Sequence, residues 1–381
     1  MYHLSKRDEI EKVVYIELPL TLTSLVKYFL GCADDDGKRR WSRFFKYGFT
    51  YSLDDVMVVF PLAVFPYSSS RVIRRINDFI TYSFLFRRIN GIITKLELEN
   101  IITWIDHPYY PSNFFGRLKE EMFCYDTADE HWKHNEAHVK GRVEELVQND
   151  MDNTIKANVV FVNSEKLFNE KKRIGSSIYL LTNGVDFDLF QEKLKDNVSV
   201  PDDIRSIKKP IIGIIASLLD EKHDLELLLK IVTDKPQWSL AIIGPKSVNL
   251  QGKIVQLRNM KNVHFLGPKP YDQLPLYIHH FDVCANFYKT IDINDTGTSI
   301  KLLNYMAVGK PIVSTNAGGA NIFSEVIDIA EDTQGFISLI QKSITDDSPI
   351  RAERSKYIAE QNSWRHKAQY AWEILSSNLA R

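Results

Sequence analysis

IDINDTGTSIKLLNYMAVGKPIVSTNAGG, residues 291–319, is the stretch on which the fold turns. A loop rich in Asp, Thr and Gly runs into an apolar segment that starts near Ser299, stops at Gly309 and is closed by Pro311, which predicts a helix over 300–308. A helix that opens from such a loop offers unpaired backbone amides and the positive end of its dipole, a combination suited to a diphosphate. Gly297, Thr298 and Ser299 would let that group come close. Within Ile300–Val308 only Lys301 and Asn304 are strongly polar, and three-residue spacing puts them on one face. Lys301 would meet phosphate charge and Asn304 a ribose hydroxyl. The same residues also fit a capped core helix whose lysine snorkels to solvent.

Outward from this segment, short β-branched runs alternate with helical patterns, the mark of βαβ units and parallel sheets. Strands are predicted for KVVYIEL from Lys12, DVMVVF from Asp55, NIITWID from Asn100, EMFCYD from Glu121, NVVFVN from Asn158 and SIYLLTN from Ser177. A second set follows: IIGIIAS from Ile211, WSLAIIG from Trp238, VHFLG from Val263, FDVCANF from Phe281 and KPIVSTN from Lys310. Ligands of doubly wound sheets lie beyond the carboxyl ends of the strands, so Asp106, Asp126, Asn163 and Asn183 are expected on one rim. The polar segment from Gln191 to Pro210 separates the two sets.

A chain of 381 residues exceeds one compact core and suits two domains. Its 44% apolar and 25% charged content is ordinary for a globular protein, and a net charge of -1 gives no reason to expect nucleic acid. Cys32, Cys124 and Cys284 lie far apart without a CxxC pair, which argues against a disulfide framework or a thiolate zinc site and fits a reducing compartment. There is no apolar run of spanning length and no signal-like start, so a cytoplasmic protein is expected.

Residues 299–313, Ser-Ile-Lys-Leu-Leu-Asn-Tyr-Met-Ala-Val-Gly-Lys-Pro-Ile-Val, resemble the donor-binding signature of GT-B glycosyltransferases. The likeness is to the bacterial family 4-like (group 1) enzymes of polysaccharide biosynthesis, whose pattern is Ser-Pro-Lys-Leu-x-Glu-Tyr-x-Ala-x-Gly-Lys-Pro-Val-Val. YDTADEHW (Tyr125–Trp132), VVFVNSEKL (Val159–Leu167), LLTNGVDFDLF (Leu180–Phe190), LAIIGP (Leu240–Pro245) and NSW (Asn362–Trp364) follow in family order. The resemblance implies an α/β fold with two Rossmann-like domains facing across a cleft. It divides the chain into an acceptor-binding domain over 1–198, a nucleotide-sugar-binding domain over 199–361 and a helix over 362–381 packing back on the first. The family's opening strand and phosphate-facing loop have no counterpart ahead of Val13, so an N-terminal piece is expected to be missing.

The activity implied is transfer of a sugar, a hexose by family habit, from a nucleotide diphosphate-sugar to a surface polysaccharide or lipid-linked acceptor. The resemblance implies no cofactor or bound metal beyond the donor substrate, UDP-sugar by default. Donor contacts fall on Gly297, Thr298, Ser299, Lys301 and Asn304, with Lys222 from the loop after the first strand of the second domain. Asn304 stands where the family has a ribose-binding Glu, and loses its charge-assisted acceptor. Asp126, with Asp129 as its alternate, would take the acceptor proton or steady charge at the anomeric carbon. Asp106 and His107 form a second polar pair, and His131, His134 and His138 share a helix face that reads as a solvated surface rather than a metal site. Rival readings are an epimerase of the same fold, a non-catalytic scaffold or donor-binding partner, and a histidine-metal hydrolase.

Between Lys38 and Lys95 eleven Lys or Arg face three acids, Asp54, Asp55 and Asp78. KRRWSRFFKY (Lys38–Tyr47) and RVIRRINDFITYSFLFRRI (Arg71–Ile89) interleave those cations with aromatics, which suits the headgroups of an anionic leaflet. Peripheral attachment to the inner face of the cell membrane is therefore expected. A packed helix with a solvated basic face would look the same.

Overall fold

The computed structural model describes the chain apart from residues 34, 54, 64–70, 111, 129–142, 176, 196–197, 218–221, 246–251, 291–296, 347 and 380–381, and apart from the side chains of 35, 36, 71 and 74. It forms two compact units. The first comprises Met1–Phe161, Glu170–Tyr179 and Ala368–Arg381; the second comprises Val162–Asn169 and Leu180–Lys367.

Three small sheets make up the first unit. Strands β1 (Val13–Ile16), β2 (Leu20–Thr21), β3 (Thr50–Leu53), β4 (Val56–Val59) and β5 (Leu62–Ala63) form the sheets β1-β4-β3 and β2-β5. The third, in the order β6-β7-β8-β9, contains β6 (Ile102–Ile105), β7 (Met122–Thr127), β8 (Val159–Val162) and β9 (Ile178–Leu180). All six strands expected in this half form. The sheets are not uniformly parallel as expected, because β3 folds back antiparallel on β4, with Leu53 opposite Val56 and Thr50 opposite Val59. Its sequence, TYSL, lies on an edge with one partner, and so lacks the apolar run that marks a central parallel strand.

The second unit is built on one sheet. Strands β10 (Ile211–Ile215), β11 (Ser239–Ile243), β12 (Val263–Gly267), β13 (Val283–Asn286), β14 (Ile312–Thr315) and β15 (Ile327–Ala330) are ordered β12-β11-β10-β13-β14-β15, and neighbouring strands pair in parallel. Alternate residues feed two cores: Ile211, Ala241, Cys284 and Ile312 on one face, Ile212, Leu240, Val283 and Val313 on the other. Burial on both faces explains the near-continuous apolar strands. Gly213 is imposed by packing, since a Cβ there would lie 1.8 Å from the Phe281 ring. Strand β15 is absent from the sequence expectations; it carries Asp328, whose carboxylate receives a 2.8 Å bond from Arg351.

Residues 180–198, expected in the first domain, cluster with the second unit. The cause is the core itself: Val185 and Phe190 are fully buried in the cluster that holds Leu302, Tyr305 and Met306. Backbone bonds Val185 N–H to Asn362 O (3.1 Å) and Trp364 N–H to Val185 O (3.0 Å) tie that segment to the start of the helix Trp364–Leu379. That helix is divided, its residues from Ala368 onward belonging to the first unit. All three cysteines are free thiols, with Cys32 exposed and Cys124 and Cys284 buried. Among the described residues no helix is long and apolar enough to cross a membrane.

Candidate functional site

Strand order reverses at β10, which has β11 on one side and β13 on the other, and the crevice outside such a switch point is the usual ligand position of a doubly wound sheet. Here the chain beyond β10 comes back alongside the chain beyond β13. Asp224 N–H donates to Phe287 O and Lys289 N–H to Lys222 O, both at 2.9 Å, and His223 pairs with Tyr288 as an antiparallel bridge. The rings of His223 and Tyr288 stack at 4.9 Å and 28°. Asp224 then accepts from Leu227 N–H at 3.0 Å and so caps the helix Leu225–Asp234.

The helix Ile300–Val308 forms as expected and ends at Gly309 in the left-handed conformation, φ 78°. Every residue from Lys301 to Val308 is buried. Ser299 occupies the cap position but makes no side-chain cap bond; its hydroxyl bonds Tyr288 instead. The first turn thus lacks the side-chain cap that a purely structural helix start would use. Around it the backbone is drawn tight. Gly297 has φ 134°, and a Cβ there would sit 3.2 Å from Asn163 Nδ2, while one on Gly319, φ 75°, would sit 3.1 Å from Thr298 Cα. Ser299 N–H bonds Gly318 O at 3.0 Å, and Asn183 Nδ2 donates to Thr298 O at 2.8 Å.

Lys301 is only 9% exposed, and its ammonium lies 3.9 Å from the centroid of the Tyr288 ring. Among the described residues no carboxylate pairs with it. Burial pulls its pKa down to about 7. The negative face of the Tyr288 ring pulls the other way, yet a cation–π contact does not replace an anion for a desolvated ammonium. One turn further, Asn304 is buried and its Oδ1 accepts from the Tyr271 hydroxyl at 3.1 Å. Tyr271 also receives Asp186 N–H at 3.4 Å, and burial pushes its phenol up to about 12. That bond from Tyr271 uses one of the two lone pairs on Asn304 Oδ1.

The second unit accordingly brings Gly297, Thr298, Ser299, Lys301 and Asn304 together, with the Lys222 backbone beside Lys289. One participant was missed in the sequence. Tyr288 is the hub: His223 stacks on it, Lys301 lies over it, Ser299 bonds it, and a Cβ on Gly318 would touch it at 3.0 Å. An aromatic residue directly after the strand at Phe281 was its only signal. Asn163 and Asn183, expected on a rim with Asp106 and Asp126, belong to this unit, where Asn163 lies beside Gly297. The buried Asn163 Oδ1 and Asn286 Oδ1 have no hydrogen-bond partner among the described residues.

Asp126 lies in the first unit within β7, not after it. Parallel register pairs Ile105 of β6 with Tyr125, so Asp106 follows β6 alongside Asp126. Burial, then repulsion from Asp106, raise the Asp126 carboxyl to about 7, against a hydrogen bond from Trp104 that lowers it. A carboxyl poised there can take a proton from a hydroxyl near neutrality. His107 accepts Tyr109 N–H at Nδ1 (3.1 Å) and stacks on that ring at 4.1 Å. Asp129, His131, His134 and His138 lie outside the described residues.

Residues 201–338 match the family model for glycosyl transferases group 1. A Bacillus subtilis protein assigned to teichuronic acid biosynthesis as a glycosyltransferase, TuaH, is 29% identical over 142 residues, 36% of this chain and 34% of that relative. The match thus spans about a third of the relative's length. Among solved structures, sucrose-phosphate synthase from Thermosynechococcus elongatus superposes with a TM-score of 0.62 at 13% identity, covering 97% of this chain and 100% of that one. HepE of Anabaena, solved with UDP-glucose, gives 0.59 at 16%, covering 96% and 99%. The fold is that of GT-B glycosyltransferases, and the segment from which the sequence resemblance was drawn lies inside the matched region.

Proposed function

We propose that this protein transfers a sugar from a nucleotide diphosphate-sugar to a saccharide acceptor, with the donor held by the second unit. Lys301 carries the reading: a buried ammonium with no carboxylate partner among the described residues, in the first turn of a helix without a side-chain cap, beside a switch point. Such a group is held at a loss until an anion arrives. A diphosphate meets it with charge, and the amides around Ser299 supply further donors. As bond breaking leaves charge on the nucleoside diphosphate, these same groups offset it. The acceptor hydroxyl's proton is assigned to Asp126. Transfer moves the anomeric carbon from the diphosphate oxygen to the acceptor oxygen and releases nucleoside diphosphate and that proton. UDP is the nucleotide first to be tried, in keeping with the UDP-glucose complex of HepE, and a polysaccharide acceptor accords with the teichuronic acid biosynthesis to which TuaH is assigned.

A thermal-shift series with UDP-, GDP- and dTDP-sugars tests the reading. At a hundred times Kd one of them should stabilise the protein by about 2.7 kcal/mol, and Lys301→Ala should erase the shift. A second reading, a donor-binding partner without turnover, is favoured by one observation: Tyr271 occupies the acceptor oxygen of Asn304. Binding without product from any acceptor would favour it. Conversion of donor alone would point instead to an epimerase.

A further inference from the structure

We propose that the helix Leu22–Phe29 and the turn after it form an insertion wedge for an anionic lipid leaflet. The helix is well made but has no buried residue: Thr21 and Ser24 exchange side-chain and backbone bonds at 3.1 Å in a capping box at its start. Its inner face rests on a small core, with Leu25 and Tyr28 packed on Leu20, Trp41 and Phe60. Leu22, Val26, Phe29 and Leu30 turn the other way, and Phe29 and Leu30 are 70% and 71% exposed. Spacings of four, three and one put these four on one helical stripe.

This stripe is continuous with an aromatic and cationic surface. Phe29 meets Phe45 at 5.8 Å, Phe45 meets Phe44 at 5.8 Å, Phe44 meets Phe49 at 5.0 Å, and Arg88 lies 5.0 Å over the Phe49 ring. Arg88 belongs to the helix Arg71–Lys95, which buries Asn77, Thr81, Leu85 and Ile89 and leaves Val72, Ile76 and Phe79 exposed. Lys27 is exposed on this helix, and Lys38 and Lys46 are exposed on the neighbouring helix Asp35–Tyr47, where Asp34, Asp35 and Asp36 precede Lys38 and no further acid occurs until Asp54. Protein interfaces deplete lysine at their centres, whereas a leaflet takes aromatic and aliphatic groups below its headgroups and lysines among them. The basic runs in the sequence pointed towards such a surface; the wedge, lying ahead of them in a weakly charged segment, did not show itself there. This inference concerns the first unit alone and stands apart from the donor site.

The full chain is sedimented with vesicles of phosphatidylcholine, and of phosphatidylcholine with phosphatidylglycerol, over a salt series. The wild type should bind the anionic vesicles and loosen as salt rises. Phe29→Ser with Leu30→Ser should weaken binding about tenfold or more through lost insertion. Lys38→Glu with Lys46→Glu should weaken it by ~25-fold or more, each lost cation counting for about fivefold. Both double variants change exposed side chains, so melting temperatures should hold. No binding by the wild type, equal binding to neutral vesicles, or wild-type binding by both variants would overturn the proposal. So would a dimer that Phe29→Ser with Leu30→Ser dissolves, which would give the surface to a second copy. Donor shifts measured on the same samples keep the two readings separate, since the wedge variants should retain them.

Discussion

The two units solve opposite problems with the same elements. The second covers both faces of one six-stranded parallel sheet with apolar side chains and keeps its unusual groups, Lys301, Asn304, Asn286 and Asn163, buried. The first divides its strands among three sheets and turns Leu22, Phe29, Leu30 and Phe79 to solvent. Buried polar groups without apolar reason mark a place where a ligand is gripped, while exposed apolar groups mark a place where a large surface is met.

The largest break in this comparison should come from packing. Gly213→Ala drives a Cβ into the Phe281 ring at the centre of the second unit, and chemical denaturation should show a loss of about 3 kcal/mol. Phe79→Ser, a far greater change of side chain on the first unit, should stay within about 0.5 kcal/mol because Phe79 is already exposed. Equal losses would mean that the two surfaces are not different in kind.

Next in size is a gain. Lys301 has a folded pKa near 7 against an unfolded value near 10.5, so the unfolded chain binds the proton first as pH falls, and the ammonium destabilises the fold most at and below neutrality. Lys301→Met should therefore raise stability by ~1–3 kcal/mol at pH 7 while abolishing donor binding, with the gain vanishing as pH approaches 10.5. A loss of stability at pH 7 would assign the lysine to structure. Asp126 shows the contrast in the first unit. Its raised pKa means stability that is full below about pH 4 and is lost as pH rises through about 7. Asp106→Asn removes the repulsion and should move the Asp126 carboxyl signal in isotope-edited infrared titration to lower pH; an unmoved titration would break the pairing. Smallest, Tyr271→Phe should cost about 1 kcal/mol and free the Asn304 oxygen, tightening donor binding if that oxygen is what a ribose hydroxyl seeks.

Much of the second unit was legible because its constraints are local. A strand buried on both faces must be apolar throughout, a helix stop needs Gly309, and the tight turn into this helix needs Gly at 297. Tyr288 was not legible, because its role comes from tertiary contacts, His223 stacking on its ring and Lys301 lying over it. Asn163 and Asn183 follow β8 and β9 as expected, and only tertiary packing assigns them to the second unit. In the first unit the edge strand β3 and the short β2 and β5 have too few residues for periodicity to act on.

The measurement closest to the central claim is calorimetric titration of the chain with UDP at pH 8 in two buffers of different ionisation enthalpy. Lys301 is then roughly nine-tenths neutral, and a diphosphate seated against it should draw in close to one proton for each UDP bound. Lys301→Met should lose the binding and with it that uptake. Tight binding by the wild type with no proton taken up would contradict the account, because the anion would then be held somewhere other than on Lys301.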